Sequence, residues 1–173
     1  MSLRVMKSAV VVALLCSSTF VSARADITVG VITSMSGAVS SIGIPYSRGI
    51  KAGESFISEV NGEKFKVILL DDASDISNSS KHARKLIEED KVDVLIGTAG
   101  APGSAAIMAV ATEMKVPVIG ITPVVSVPSN EGKPWAMTVV QPASDMVGAV
   151  VQEMKQQNLK NIGFIGFSDS WGD

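Results

Sequence analysis

From residue 26 onward the apolar positions switch repeatedly between a strand-like run and a helical period. Residues 27–32 (ITVGVI) form a β-branched run bounded by polar residues and predict a buried strand. Residues 46–60 predict a helix, with Ile50, Ala52, Phe56, Ile57 and Val60 near helical spacing and Asn61-Gly62 as its stop. Residues 65–70 (FKVILL) predict a second strand. Asp75 suits the N-cap of a helix that runs to about Asp90. Ile76, Ala83, Leu86 and Ile87 form its buried stripe, and Lys81, His82, Arg84 and Lys85 face away. A third strand is expected at 92–96 (VDVLI), a helix rich in Ala and Met at 101–114, and a fourth strand at 116–121 (VPVIGI).

Strands alternating with helices of this length predict an α/β fold, a Rossmann-like doubly wound parallel sheet with helices on both faces. Ligands bind such sheets at the carboxyl ends of the strands, where the strand order reverses. That directs attention to the loops 34–43, 98–103 and 122–130. After Gln141 the pattern changes register: a helix at 145–157 and a strand at 161–167 (NIGFIGF) follow. These divide the chain into a unit at 26–144 and the start of another at 145–173. The last strand has no crossover helix after it, so the sequence reads as part of a longer protein.

The first 25 residues have a different character. Arg4 and Lys7 precede the apolar run 9–16, and Ala23-Arg24-Ala25 places small residues at the positions a signal peptidase reads. A cleavable signal peptide is expected, cut before Asp26. The apolar run is too short for a permanent membrane span. The one cysteine, Cys16, falls in this segment behind Leu15, where lipidation would require a small residue. The exported chain would then contain no cysteine, which removes disulfides, thiol catalysis and cysteine metal sites. The whole sequence has 15 basic and 17 acidic residues; three of the basic ones and none of the acids lie in the first 25, leaving about −5 for the remainder. No basic face for nucleic acid is expected, and one histidine gives little support to a metal site.

Among candidate motifs, 97–103 (GTAGAPG) follows a strand and opens a helix, where a phosphate loop would sit. Its spacing fits neither a dinucleotide fingerprint nor a P-loop. It reads either as backbone N–H groups that hold an anion such as a carboxylate, or as a plain tight turn. Neither Ser36 nor Ser168 completes a nucleophile elbow, and the only available base is His82 on a polar helix face, so no hydrolase triad and no catalytic residue is assigned. In 71–75 (DDASD) Asp75 is read as a cap and the other two acids as solvated loop residues rather than cation ligands. Trp171, at the end of the last expected strand, reads either as an aromatic that stacks on a ligand or as core or lobe-interface packing.

Met35-Ser36-Gly37, Gly43-Ile44-Pro45, 70–75 (LDDASD), 93–97 (DVLIG), 116–119 (VPVI) and Trp171-Gly172-Asp173, in that order and spacing, resemble the type I periplasmic binding proteins of the branched-chain amino-acid transport family. The resemblance implies two α/β lobes closing on a small ligand, with residues 26–144 as most of the first lobe. It implies that Ile42 lies against the ligand, that Val124 offers a carbonyl and Ser126 its N–H and hydroxyl, and that Trp171 takes the place of a stacking tyrosine. The family's hydroxyl residue after the third strand is Ala101 here, so Gly100, Ala101 and Pro102, in the segment 100–103, would hold a carboxylate by backbone N–H groups alone. It further implies a non-enzymatic periplasmic protein without cofactor or metal. Such a protein binds a small carboxylate-bearing apolar ligand (a hydrophobic amino acid or an aromatic acid) and delivers it to an inner-membrane ABC permease. The alternative is a ligand-sensing domain of a receptor or regulator with the same fold.

Overall fold

The computed structural model describes residues 26–124, 132, 134–166 and 168. The signal segment with Cys16, and the candidate residues Ser126 and Trp171, lie outside the described residues. In chain order the elements are β1 (Ile27–Thr33), α1 (Ser40–Phe56), β2 (Glu59–Val60), β3 (Glu63–Asp71), α2 (Ile76–Glu88), β4 (Val94–Gly97), α3 (Ala101–Glu113), β5 (Val118–Gly120), β6 (Ala136–Thr138) and α4 (Ala143–Gln156).

The strands form one sheet in the order β2-β3-β1-β4-β5-β6, parallel throughout except for the β2–β3 hairpin. From β1 the chain moves first to one side, to β3, and then crosses to the other, to β4 and β5. Right-handed crossovers therefore put α1 on one face and α2 and α3 on the opposite face. This is the doubly wound arrangement that the strand-helix alternation predicts.

Burial drives the packing of α2 and α3. Ile32, Leu86, Leu95, Ile107 and Met108 are completely buried and form one cluster with Ala83, Ala111 and Val118. At about 25 cal/mol per Å2 of apolar surface, each large side chain there contributes roughly 1.5–3 kcal/mol. Asp75 caps α2 as its sequence position suggests, its Oδ1 accepting from the Asn78 N–H at 2.7 Å.

Several boundaries differ from the sequence reading. Helix α1 begins at Ser40, not at residue 46, because Gly43 and Pro45 act inside it rather than before it. A Cβ on Gly43 would lie 2.0 Å from the Ser34 carbonyl oxygen, so glycine is what lets this turn close on the β1 loop. The helix ends at Phe56, and Asn61-Gly62 is the tight turn of a hairpin: both residues have positive φ, 53° and 80°, as a type I′ turn requires. Ile76, assigned to the buried stripe of α2, is half exposed, because the first turn of that helix stands at the cleft rim instead of over the sheet. His82 is half-buried, with Nε2 3.1 Å from the Asp71 carbonyl oxygen, rather than solvated. The short β6 has no sequence signal strong enough to predict it. Residues 161–166 are exposed and form no strand. A strand needs a neighbour for its backbone N–H and C=O groups, and no described strand pairs with this segment.

Candidate functional site

Four strands of the parallel sheet end at one edge, and the residue just past each end faces a common cleft. Ser34 follows β1, Asp72 follows β3, Thr98 follows β4, and Thr122 lies two past β5. The cleft measures about 490 Å3 and is walled mainly by apolar groups, among them Val39, Ile42, Ile76 and Pro123. Its position beside β1, from which the chain winds both ways, is the switch point where such sheets bind ligands.

The floor is organised by Asp72, which is 1% exposed. Its Oδ1 accepts from the Ser34 hydroxyl at 2.7 Å and from the Ser74 N–H at 3.0 Å. Its Oδ2 accepts from the Ser79 hydroxyl at 2.8 Å and the Thr98 hydroxyl at 2.7 Å. Four donors fill the four lone-pair directions of a carboxylate, which is how a buried charge is kept solvated without water. Thr122 continues the network by donating to the carbonyls of Thr98 and Ala99. The sequence reading, which left Asp72 as a solvated loop residue, is corrected here. The missed signal is Ser79: it lies one turn before Ala83 on the buried stripe of α2, and a hydroxyl on such a stripe needs a buried partner.

Asp71 points the other way and ties down the rim. Its Oδ1 accepts from the N–H groups of Met35 (2.8 Å), Ala73 (2.9 Å) and Ser36 (3.2 Å), and Oδ2 from the Ser36 hydroxyl (2.8 Å). Partial burial, the largest single influence, pushes this carboxyl up; the donors from Ala73, Ser36 and Met35 together outweigh it and hold it below the usual aspartate value. Ala73 and Ser74 both adopt left-handed backbone, φ 54° and 61°, which turns the chain so that adjacent carboxylates serve opposite sides.

Helix α3 starts at the cleft with Gly100 as its N-cap residue. Gly103 lets it come close: a Cβ there would lie 2.7 Å from Ser79 Oγ and 2.9 Å from Thr98 Cγ2. Of the expected carboxylate-binding segment 100–103, Pro102 has no N–H, so its ring supplies only a wall and the donors reduce to Gly100, Ala101 and Gly103.

Ile42, Gly100, Ala101 and Pro102 all line this one cleft. Val124 does not: its side chain packs against the core, and Thr122 and Pro123 line the cleft beside it. Among the described residues no group of His, Cys, Asp and Glu has the arrangement of a metal site, and no described helix is long and apolar enough to cross a membrane.

The periplasmic binding protein family matches residues 26–173. An extracellular ligand-binding receptor from Rhodopseudomonas palustris HaA2 superposes with a TM-score of 0.78 at 34% identity, over 85% of this chain and 40% of that one. A solute-binding protein of an ABC transporter from Rhodopseudomonas palustris BisB5, solved with 3,4-dihydroxybenzoic acid, gives a TM-score of 0.75 at 28% identity over the same shares. An amino acid binding protein from Pseudomonas aeruginosa PAO1 is 33% identical over 78 residues, 43% of this chain and 21% of the relative. The chain thus spans about 40% of the length of these solved relatives. With this match, the doubly wound sheet and the strand-end cleft, the chain belongs to the periplasmic binding protein family, with the type I fold.

Proposed function

We propose that residues 26–144 form the first lobe of a non-enzymatic solute-binding protein that captures a small, carboxylate-bearing apolar ligand for an ABC importer. The observation that carries this reading is the apolar cleft of about 490 Å3 at the strand ends, opened on by the first turn of α3. Apolar walls with a few aimed polar groups suit a ligand of this size. The unsatisfied N–H groups of Ala101 and Gly103, at the positive end of the α3 dipole, suit one carboxylate. Ile42 and Pro102 press on the apolar body of the ligand, Thr122 and Pro123 border it, and in this reading Ser126 adds its N–H and hydroxyl.

The class includes hydrophobic amino acids and aromatic acids. The relatives support both: one is named for amino acid binding and another was solved with a dihydroxybenzoate. In this reading residues 1–25 direct export and are removed before Asp26, residues 145–173 begin the second lobe, and Trp171 faces the ligand from there. An ABC permease is the partner. Isothermal titration of the full-length protein with hydrophobic amino acids and with benzoates tests the assignment. Saturable binding of at least one group is expected, and absence of binding to both would sink it.

A further inference from the structure

One hydroxyl in the cleft differs from the rest. Ser34 and Thr98 give their protons to Asp72, Ser79 is shared between Asp72 and the Asp75 carbonyl, Ser74 donates to the Ser36 carbonyl, and Thr122 donates to the carbonyls of Thr98 and Ala99. These protons are committed inside the protein, so the hydroxyls that carry them have only lone pairs left to offer. Tyr46 also lines the cleft, half-buried, and no hydrogen bond among the described residues engages its phenol. Among the described side chains that line the cleft, it is the one that still has both a proton and lone pairs to give to a ligand.

Helix geometry explains how Tyr46 reaches the cleft. It lies four residues after Ile42 in α1, so the two share a face, and side chains lean toward the N-terminus of their helix. That lean carries the ring back toward the strand ends. Because α1 and α3 lie on opposite faces of the sheet, Tyr46 and the N-terminus of α3 come to the cleft from opposite sides. A ligand with its carboxylate on the N–H groups of Ala101 and Gly103 then extends its body past Ile42 toward Tyr46. A hydroxyl on that body, placed among apolar walls, loses its water and needs a partner. The phenol at the far side supplies one.

We propose that Tyr46 selects for a second polar group on the ligand: its phenol hydrogen-bonds a hydroxyl or carbonyl at the end of the body remote from the carboxylate. The inference rests on the carboxylate-ligand reading above and sharpens it, since it ranks ligands by the polarity of their far end and not by the head group they share. It also accounts for a tyrosine on a wall where Val39, Ile42 and Pro102 are purely apolar. A ring that served only as apolar wall would do as well as phenylalanine.

Three ligand pairs differ only in a para hydroxyl: benzoate with 4-hydroxybenzoate, 3-phenylpropanoate with 3-(4-hydroxyphenyl)propanoate, and phenylalanine with tyrosine. Their lengths place the hydroxyl at different depths. Titration of each, and of leucine, into the full-length wild-type protein and Tyr46→Phe isolates the phenol as a double difference. Tyr46→Phe keeps the ring and removes a hydroxyl that bonds no described group, so the variant keeps its fold, and an unchanged urea midpoint verifies this. The wild type should bind the hydroxylated member more tightly in at least one pair. Tyr46→Phe should lower that preference about three- to tenfold, the scale of one uncharged hydrogen bond. A preference unchanged in Tyr46→Phe, or an equal loss for both members, overturns the inference alone. So does a wild type that favours the hydroxylated member of no pair, or that binds leucine and none of the six. Binding of neither leucine nor any of the six removes the ligand reading and this inference with it.

Discussion

The rim of the cleft around Asp71 and its floor around Asp72 are made of the same groups, a carboxylate and the serine or threonine donors it gathers. Both carboxylates accept four hydrogen bonds. They differ in their access to water. The donors on Asp71 are mostly backbone N–H groups of an exposed turn, which water can satisfy when the aspartate is removed. Three of the donors on Asp72 are hydroxyls of buried residues, which have no such substitute. The same motif therefore holds a loop in one place and supports the interior in the other, and the two differ in what their loss costs.

The largest effect is expected from Asp72→Ala. It strands the hydroxyls of Ser34, Ser79 and Thr98 and leaves a void, so a loss of about 3–5 kcal/mol is expected from urea unfolding, in the range for removing one member of a buried charged network. A loss under about 1 kcal/mol would erase the distinction between floor and rim. Gly103→Ala tests the floor from the helix side. The added methyl group presses on Ser79 and Thr98, and a cost of about 1–3 kcal/mol is expected.

Asp71→Ala should cost about 1–2 kcal/mol, since water replaces much of what is lost. Its pH dependence gives a cleaner test. The native carboxyl titrates below its unfolded value of 3.8, so its contribution is fully present above that value and is lost as pH falls through the native one. The wild type should therefore lose stability more steeply than Asp71→Ala below about pH 4, with parallel curves above pH 5. A steeper acid loss in the variant would reverse the assignment. The smallest effect is expected at Ala101, which lies between rim and floor. Ala101→Ser restores a hydroxyl at the cleft, and stability should change by no more than about 0.5 kcal/mol. Titration should show hydrophobic amino acids bound a few-fold more tightly, and weaker binding would mean that the serine fills the space of the ligand.

The periodic parts of the fold were legible in the chain. The strands around ITVGVI and FKVILL, the Asp75 cap and the Ala-rich α3 follow from local pattern, because burial and period coincide there. The candidate site was legible in part: Ile42 and 100–102 converge as expected. Asp72 was not, because an aspartate in DDASD looks the same whether its donors are water or the hydroxyls of Ser34, Ser79 and Thr98. Ser79 is near Asp72 in the chain, but Ser34 and Thr98 lie 38 and 26 residues away, and only the fold brings them to it. Helix α4 teaches the complementary lesson. Met146, Val147, Val150 and Val151 predict a helix correctly, yet none of its residues is buried. An apolar stripe specifies a face, and burial requires something placed against it.

The Asp72 carboxylate also has a consequence for time. By joining the ends of β1, β3 and β4 with the first turns of α2, it fixes the shape of the cleft wall before any ligand arrives. A surface fixed in advance loses little conformational entropy when it is occupied. Such a wall serves as a template in the encounter, and the slow step of capture belongs to whatever closes over it.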